Sequence, residues 1–222
     1  MMTTEPITES EMTFGPFTEG HCFYIEKSVT YKKIENGVKI AEFLVLKQKK
    51  GKGLAVWIIE AKKSAPASKG IDPFEEQLKE ICSKLTSEES NEYLKELQEK
   101  ITGDKLRNYI KELREQAAIS PFDKYIKEIC EKFINSLALI ISILLKQDDE
   151  SDELSNLFKE LDLASIQFIL VLVIKEAKLL WLPDLQNALS KALRPTVKIW
   201  AVSEPSVLVL NEQGARDRGL IV

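Results

Sequence analysis

A chain of 222 residues, 44% hydrophobic and 30% charged, holds enough apolar material for one substantial core and has the composition of an ordinary globular protein. Its three cysteines, Cys22, Cys82 and Cys130, are far apart and form no paired motif, and His21 is the only histidine. This argues against a disulfide framework and a zinc site and points to a reducing, cytoplasmic compartment.

The net charge of −4 is unevenly spread. Residues 1–21 carry four acids and no Lys or Arg, and residues 22–70 carry eleven lysines against four acids, a local +7. Residues 71–162 are acidic, with thirteen basic against twenty-two acidic side chains. A basic segment on an acidic chain attracts a polyanion locally while the whole stays soluble, although lysines on strand faces and turns also serve simply to solvate them.

Along the chain, residues 1–20 are polar, with Pro6, Gly15, Pro16 and Gly20, and are expected to form a flexible arm ahead of one domain spanning 21–222. The N-terminus has neither the basic start nor the apolar run of a secretory signal. From Phe23 to Ile34 the aromatic and β-branched residues favour strand. Asn36-Gly37 signals a hairpin turn. Val38 to Leu46 reads as a second strand and Leu54 to Lys62 as a third, separated by the Lys-rich turn 47–53. The third strand is apolar on both faces as far as Ile59, as expected at the centre of a sheet.

Ala65 to Gly70 is a loop, and Asp72-Pro73 has the form of an N-cap followed by proline at the first helical position. Helical periodicity then runs to about Gln147, ending in a stripe of Phe122, Tyr125, Ile126, Ile129, Phe133, Leu137 and Ile140. The region 72–147 is expected to be a helical insertion whose charges form solvated faces. A short helix to Leu161, a buried strand Ile166–Ile174, a helix from Pro183 stopped by Arg194-Pro195, and strands Val197–Val202 and Val207–Leu210 complete a mixed α/β plan. The apolar stretches Phe133–Leu145 and Ile166–Ile174 fall short of the roughly 20 residues a spanning helix needs, so no membrane partner is expected.

Chemistry concentrates on the two central strands. In Ile58-Ile59-Glu60-Ala61-Lys62, Glu60 and Lys62 share one face because strand side chains alternate. Glu42 is a lone acid in the apolar run of the preceding strand. Glu42 and Glu60 lie about nine residues either side of Gly51, so antiparallel pairing sets them at similar heights, close enough to share a hard cation beside a lysine. A carboxylate in such a strand is costly unless paired or metal-bound.

Val38-Lys39-Ile40-Ala41-Glu42, a turn, and Trp57-Ile58-Ile59-Glu60-Ala61-Lys62 resemble the PD-(D/E)XK, or restriction endonuclease-like, nuclease superfamily. Its signature is an acid on the second core strand and (D/E)-x-K on the third, then a helix and a fourth strand. The resemblance covers the meander, and the remainder matches by element order. Glu replaces the usual Asp at position 42, and Ala41 stands where the family name has Pro.

The resemblance implies a restriction endonuclease-like mixed β-sheet flanked by helices, with the helical insertion after the third strand. It implies that Glu42, Glu60 and the backbone carbonyl of Ala61 ligate Mg²⁺ or Mn²⁺, with Glu26 as an additional acid, and that Lys62 orients the attacking water. Two carboxylates suit Mg²⁺, which takes oxygen ligands and keeps several waters.

Three functions follow. The first is a Mg²⁺-dependent phosphodiesterase acting on DNA, which a homodimer would suit for cutting both strands. The second is a catalytically inactive module of that fold, binding nucleic acid or a protein partner. The third is a helical scaffold using the face of residues 73–147. Of the other polar residues, His21 reads as a strand start and Ser64 as a turn residue, while Arg216 and Arg218 are either phosphate contacts or surface charges. Trp57 and Trp200 read as core aromatics.

Overall fold

A computed structural model describes residues 5–48, 53–66, 120–145, 153–199 and 206–222. The chain divides into two units, Met1–Ala65 with Tyr125–Val222, and Pro66–Lys124. Residues 67–119, and with them most of the expected insertion, lie outside the described residues, as do Cys82, Trp200 and residues 201–205.

The first unit is built on a five-stranded mixed sheet. Its strands are β3 (Cys22–Phe23), β4 (Phe43–Gln48), β5 (Leu54–Lys62), β6 (Gln167–Ile174) and β7 (Val207–Asn211), side by side in that order. The β3–β4 and β4–β5 pairs are antiparallel, and β5–β6 and β6–β7 are parallel. β5 has the bounds its apolar run predicts. It lies between two neighbours, which is why both of its faces are apolar.

The N-terminal segment departs from the expected flexible arm. Ile7–Glu9 (β1) and Met12–Phe14 (β2) form a hairpin, and Ile7, Met12 and Phe14 are buried. Its two-residue turn, Ser10-Glu11, has positive φ at both positions, 50° and 62°, as a type I′ turn requires. Neither residue is glycine, so the turn is held from outside. Ser10 Oγ donates to the Ala61 carbonyl at 3.0 Å, and the Glu11 carboxylate pairs with Lys63 at 2.5 Å and Lys175 at 3.1 Å. The hairpin is thereby pinned to the end of β5.

Phe43 anchors this side of the sheet. It is fully buried, and its ring meets Phe14, Phe17 and Tyr24 at centroid distances of 5.1, 6.0 and 6.3 Å. Val45, Ile59, Ala61, Val171 and Val173 continue the same apolar layer. Trp57 is only partly buried against it, with Lys47 over its ring, and is not the core aromatic expected.

Between β3 and β4 the chain is not a strand. Ile25–Lys27 is a 3₁₀ turn, Val29–Ile34 is a helix (α1), and Asn36-Gly37 turns out of that helix with φ +85° at Gly37. Local β-propensity loses here to capping. Ser28 accepts from Tyr31 N at 3.0 Å, and the Glu153 carboxylate accepts from Val29 N at 2.9 Å and Thr30 N at 3.4 Å. Ser28→Ala should therefore cost about 1 kcal/mol, readable as a lower urea midpoint with an unchanged m-value.

The long helix α2 (Pro121–Leu144) belongs to the first unit from Tyr125 on. It buries Ile129, Phe133, Leu137 and Ile140, the stripe its periodicity predicts. Asn156–Lys159 (α3) is capped by Ser155, whose hydroxyl also donates to the Gly20 carbonyl at 2.7 Å.

Leu182–Ile199 (α4) continues through Pro195 instead of stopping there, so Val197–Ile199 are helical rather than the start of a strand. Gln186 of α4 spans the outer edge of β7, donating to the Val207 carbonyl and accepting from Val209 N. Unpaired backbone groups on an edge strand are thus satisfied by one side-chain amide. Glu212–Asp217 (α5) closes the chain; Asn211 caps it, and Arg216 bonds the Val222 carbonyl and Glu212.

No helix among the described residues is long and apolar enough to cross a membrane.

Candidate functional site

The β4–β5 register ends at the Phe43–Ile59 pair, and Glu42 and Glu60 are the next residues on along the two chains, at the equal offsets from Gly51 that the sequence predicts. Glu42 stands one residue before β4 begins. Its N–H donates to the Ile59 carbonyl at 3.0 Å, and its carbonyl accepts from Glu26 N at 3.2 Å. These two bonds tie Glu42 to both the end of β5 and the 3₁₀ turn that carries Glu26. On the other side, parallel pairing of Glu60 with Leu172 and Lys62 with Ile174 holds the end of β5 straight.

Helix α2 closes over this face. Ser136 Oγ accepts from Ala41 N at 2.8 Å and donates to the Lys132 carbonyl, and Asn135 donates to the Lys39 carbonyl at 2.9 Å. Those contacts fix the helix against the segment leading to Glu42 and deliver Lys132 between the two carboxylates. Its ammonium lies 2.8 Å from Glu60 Oε1 and 3.7 Å from Glu42 Oε1. Lys62 lies 3.2 Å from Glu60 Oε1 and 3.4 Å from Glu128 Oε1. The charges of α2 are therefore not all solvated, contrary to expectation: Lys132 and Glu128 face the site.

The hairpin turn adds one more acid. Carboxylate oxygens of Glu9, Glu26 and Glu42 lie within 4.8 Å of one another. Glu9 immediately precedes the strained Ser10-Glu11 turn, so the anchoring of that turn is also what places Glu9.

Five carboxylates, those of Glu9, Glu26, Glu42, Glu60 and Glu128, thus surround two ammonium groups. Burial pushes Glu42 up to about 9, reinforced by a hydrogen bond to Glu26 and by the charge of Glu60. Glu9 is raised by burial and by Glu26. Glu60 is raised by burial, against the opposing pull of Lys132 and Lys62. Burial and mutual repulsion thus make these acids costly to ionise, a cost that a bound cation would lower.

The donor set fits a hard divalent ion. It consists of oxygens, three of them clustered, and the fully buried Glu60 Oε2 has no hydrogen-bond partner among the described residues. Glu9, Glu26, Glu42 and Glu60 would hold such an ion, which would supply Lewis-acid polarisation and a more acidic bound water.

The expected residues meet unequally. Glu42, Glu60 and Lys62 come together, and Glu26 joins Glu42. The Ala61 carbonyl is engaged by Ser10. The Glu42–Glu60 pair is bridged by Lys132, whose helical face the sequence predicts to be solvated. The missed signal is spacing: Lys132 and Ser136, four apart, run beside the buried stripe Ile129, Phe133 and Leu137. Glu9 lies in a segment that reads as an arm by its polar composition, although Met12, Thr13 and Phe14 alternate as a strand should.

Burial pushes the Cys22 thiol up to about 12 and the Cys130 thiol up to about 11, leaving neither a nucleophile. His21 borders β3 with Nδ1 3.1 Å from the Glu19 carbonyl, well placed as a strand-start residue.

Compared with known proteins, the chain matches no family model, no curated protein and no solved structure.

Proposed function

We propose that this protein is a Mg²⁺- or Mn²⁺-dependent phosphodiesterase of the restriction endonuclease-like kind, acting on DNA. The observation that carries the reading is that Glu42 and Glu60, the next residues on from the last β4–β5 pair, meet at Lys132, with Lys62 beside Glu60. An acid at the start of β4, E-x-K at the end of β5, then helix α2 and the parallel strand β6 follow the order that the superfamily resemblance implies.

The roles divide by exposure. Glu42 and Glu60, with Glu26 and Glu9 beside them, are the groups that would hold the divalent ion. Lys62 has its side chain 25% exposed at the strand end, oriented by Glu60 and Glu128. Its ammonium can meet a phosphate from solvent, orient the attacking water and stabilise charge that develops in the transition state. Lys132, at 12%, lies deeper and serves the carboxylates rather than the substrate.

Cations for a longer phosphodiester backbone are available elsewhere. A groove of about 450 Å³ between α4 and the start of β7 is lined by Asn187, Ser190, Lys191, Arg194, Lys198 and Ser206, among others, and by no acid among the described residues.

The test is plasmid and single-stranded DNA incubated with Mg²⁺, Mn²⁺ or EDTA, using wild type, Lys62→Ala and Glu60→Gln. Cleavage should require metal and fall by about 10²–10³-fold in a Lys62→Ala variant that remains folded, the size of effect expected from removing one transition-state contact. Cleavage that survives EDTA, or that neither substitution weakens, contradicts the reading.

The Lys132–Glu60 ion pair favours a second reading, a non-catalytic module of the same fold in which a lysine permanently fills the cation position. It predicts DNA retention by a folded protein with no divalent binding and no cleavage.

A further inference from the structure

We propose that Lys132 is a built-in counter-ion that holds the Glu42–Glu60 pair and must withdraw before a divalent ion can bind there; this rests on the metal-dependent reading above. The ammonium stands 2.8 Å from Glu60 Oε1 and 3.7 Å from Glu42 Oε1. It therefore occupies the space between the two carboxylates that a shared ion would need. The three side chains are nearly sealed from solvent, at 12% for Lys132, 0% for Glu60 and 10% for Glu42. A 2+ ion and an ammonium cannot share so small a volume without strong, poorly screened repulsion.

Lysine suits a displaceable role. It is a compact point charge on a four-carbon stem, so it can leave by rotation without moving the helix, whereas a guanidinium would hold a carboxylate through a rigid two-point fork. Asn135 and Ser136, within the next turn of α2, clamp the helix beside that movement, so only the side chain need shift.

A second partner is at hand. Glu128 is four residues before Lys132 on the same helix, the Glu-then-Lys spacing that favours pairing. It now pairs with Lys62 at 3.4 Å. Transfer of Lys132 towards Glu128 offsets the cost of leaving Glu60 and loosens Lys62 for a phosphate. Metal binding and the readiness of Lys62 become one event. Without metal the site stays neutralised and folded.

Two measurements test this without relying on activity. Calorimetry with Mn²⁺ should give at least tenfold tighter binding for Lys132→Met than for wild type, and Mn²⁺ should raise the melting temperature of the variant by more. In wild type, labelling of exposed amines followed by peptide mass spectrometry should find Lys132 protected without metal and several-fold more reactive at saturating Mn²⁺, so the result does not depend on the variant folding.

If wild type binds Mn²⁺ while Lys132 labelling is unchanged and the variant binds no tighter, the counter-ion role is wrong and the metal reading stands. Failure of both proteins to bind Mn²⁺ overturns both together. Full labelling of Lys132 before metal is added overturns the role directly.

Discussion

Lys132→Met should destabilise the metal-free protein by about 3 kcal/mol, while adding Glu60→Gln to it should recover most of that loss. Removing the lysine strands a fully buried carboxylate with only Lys62, a quarter exposed, to balance it. Breaking a buried pair from one side costs about 3–5 kcal/mol, chiefly because the remaining charge is uncompensated. Lys62, 3.2 Å away, keeps the expected value at the lower end. The double variant has no charge left to strand, so the two substitutions should not add.

A double-mutant cycle in urea at pH 7 reads this as a coupling of about 2 kcal/mol. In a chain of this size the single variant should melt about 6–12 °C lower. Additive losses would mean that Lys132 and Glu60 are neighbours without being an energetic pair.

The cycle also bears on why the candidate site was only half legible from sequence. Glu42, Glu60 and Lys62 could be read because strand geometry is nearly one-dimensional. Alternation puts Glu60 and Lys62 on one face, and counting outward from Gly51 gives the observed register. The bounds of β5 were equally readable, since a run apolar on both faces has one economical location, the middle of a sheet.

What was not readable depends on partners far along the chain. Val29–Ile34 is helical because Ser28 and the distant Glu153 cap it, and no property of its β-branched residues announces a cap supplied from 124 positions away. Lys132 approaches Glu60 across 72 residues of sequence, much of it outside the described structure. Glu9 depends on a turn whose two positive-φ residues are tolerated only because Ser10 and Glu11 find Ala61, Lys63 and Lys175. Pro195 ended the helix on paper, yet α4 runs through it with Leu185, Leu189 and Leu193 buried below. In each case a tertiary contact outweighed a local preference of about 1–3 kcal/mol.

Glu42→Gln should make the protein more stable at alkaline pH while leaving it unchanged in acid. Glu42 keeps its proton in the folded state up to about pH 9, whereas in the unfolded chain it ionises near its ordinary value of about 4.3. Below that lower value both states are protonated and the residue costs nothing. As the pH rises from about 4.5 to about 9, the unfolded chain sheds a proton that the folded protein must retain, so wild-type stability falls across this window.

Glutamine is neutral throughout and can still donate to Glu26, so the slope due to Glu42 should vanish. The proton is hydrogen-bonded to Glu26 and opposed by the charge of Lys132, so one substitution recovers part of the full penalty, about 2 kcal/mol at pH 8. Urea midpoints for both proteins between pH 4.5 and 8.5 measure it, and parallel curves would show that Glu42 is ionised in the native state.

The same proton links stability to the metal. An ion bound by Glu42 must displace it, so Mn²⁺ affinity in wild type should rise with pH across the window in which stability falls. Calorimetry in buffers of different ionisation enthalpy should detect close to one proton released per ion. In Glu42→Gln that release and the rise in affinity should both disappear, since the displaced proton is gone with its carboxylate.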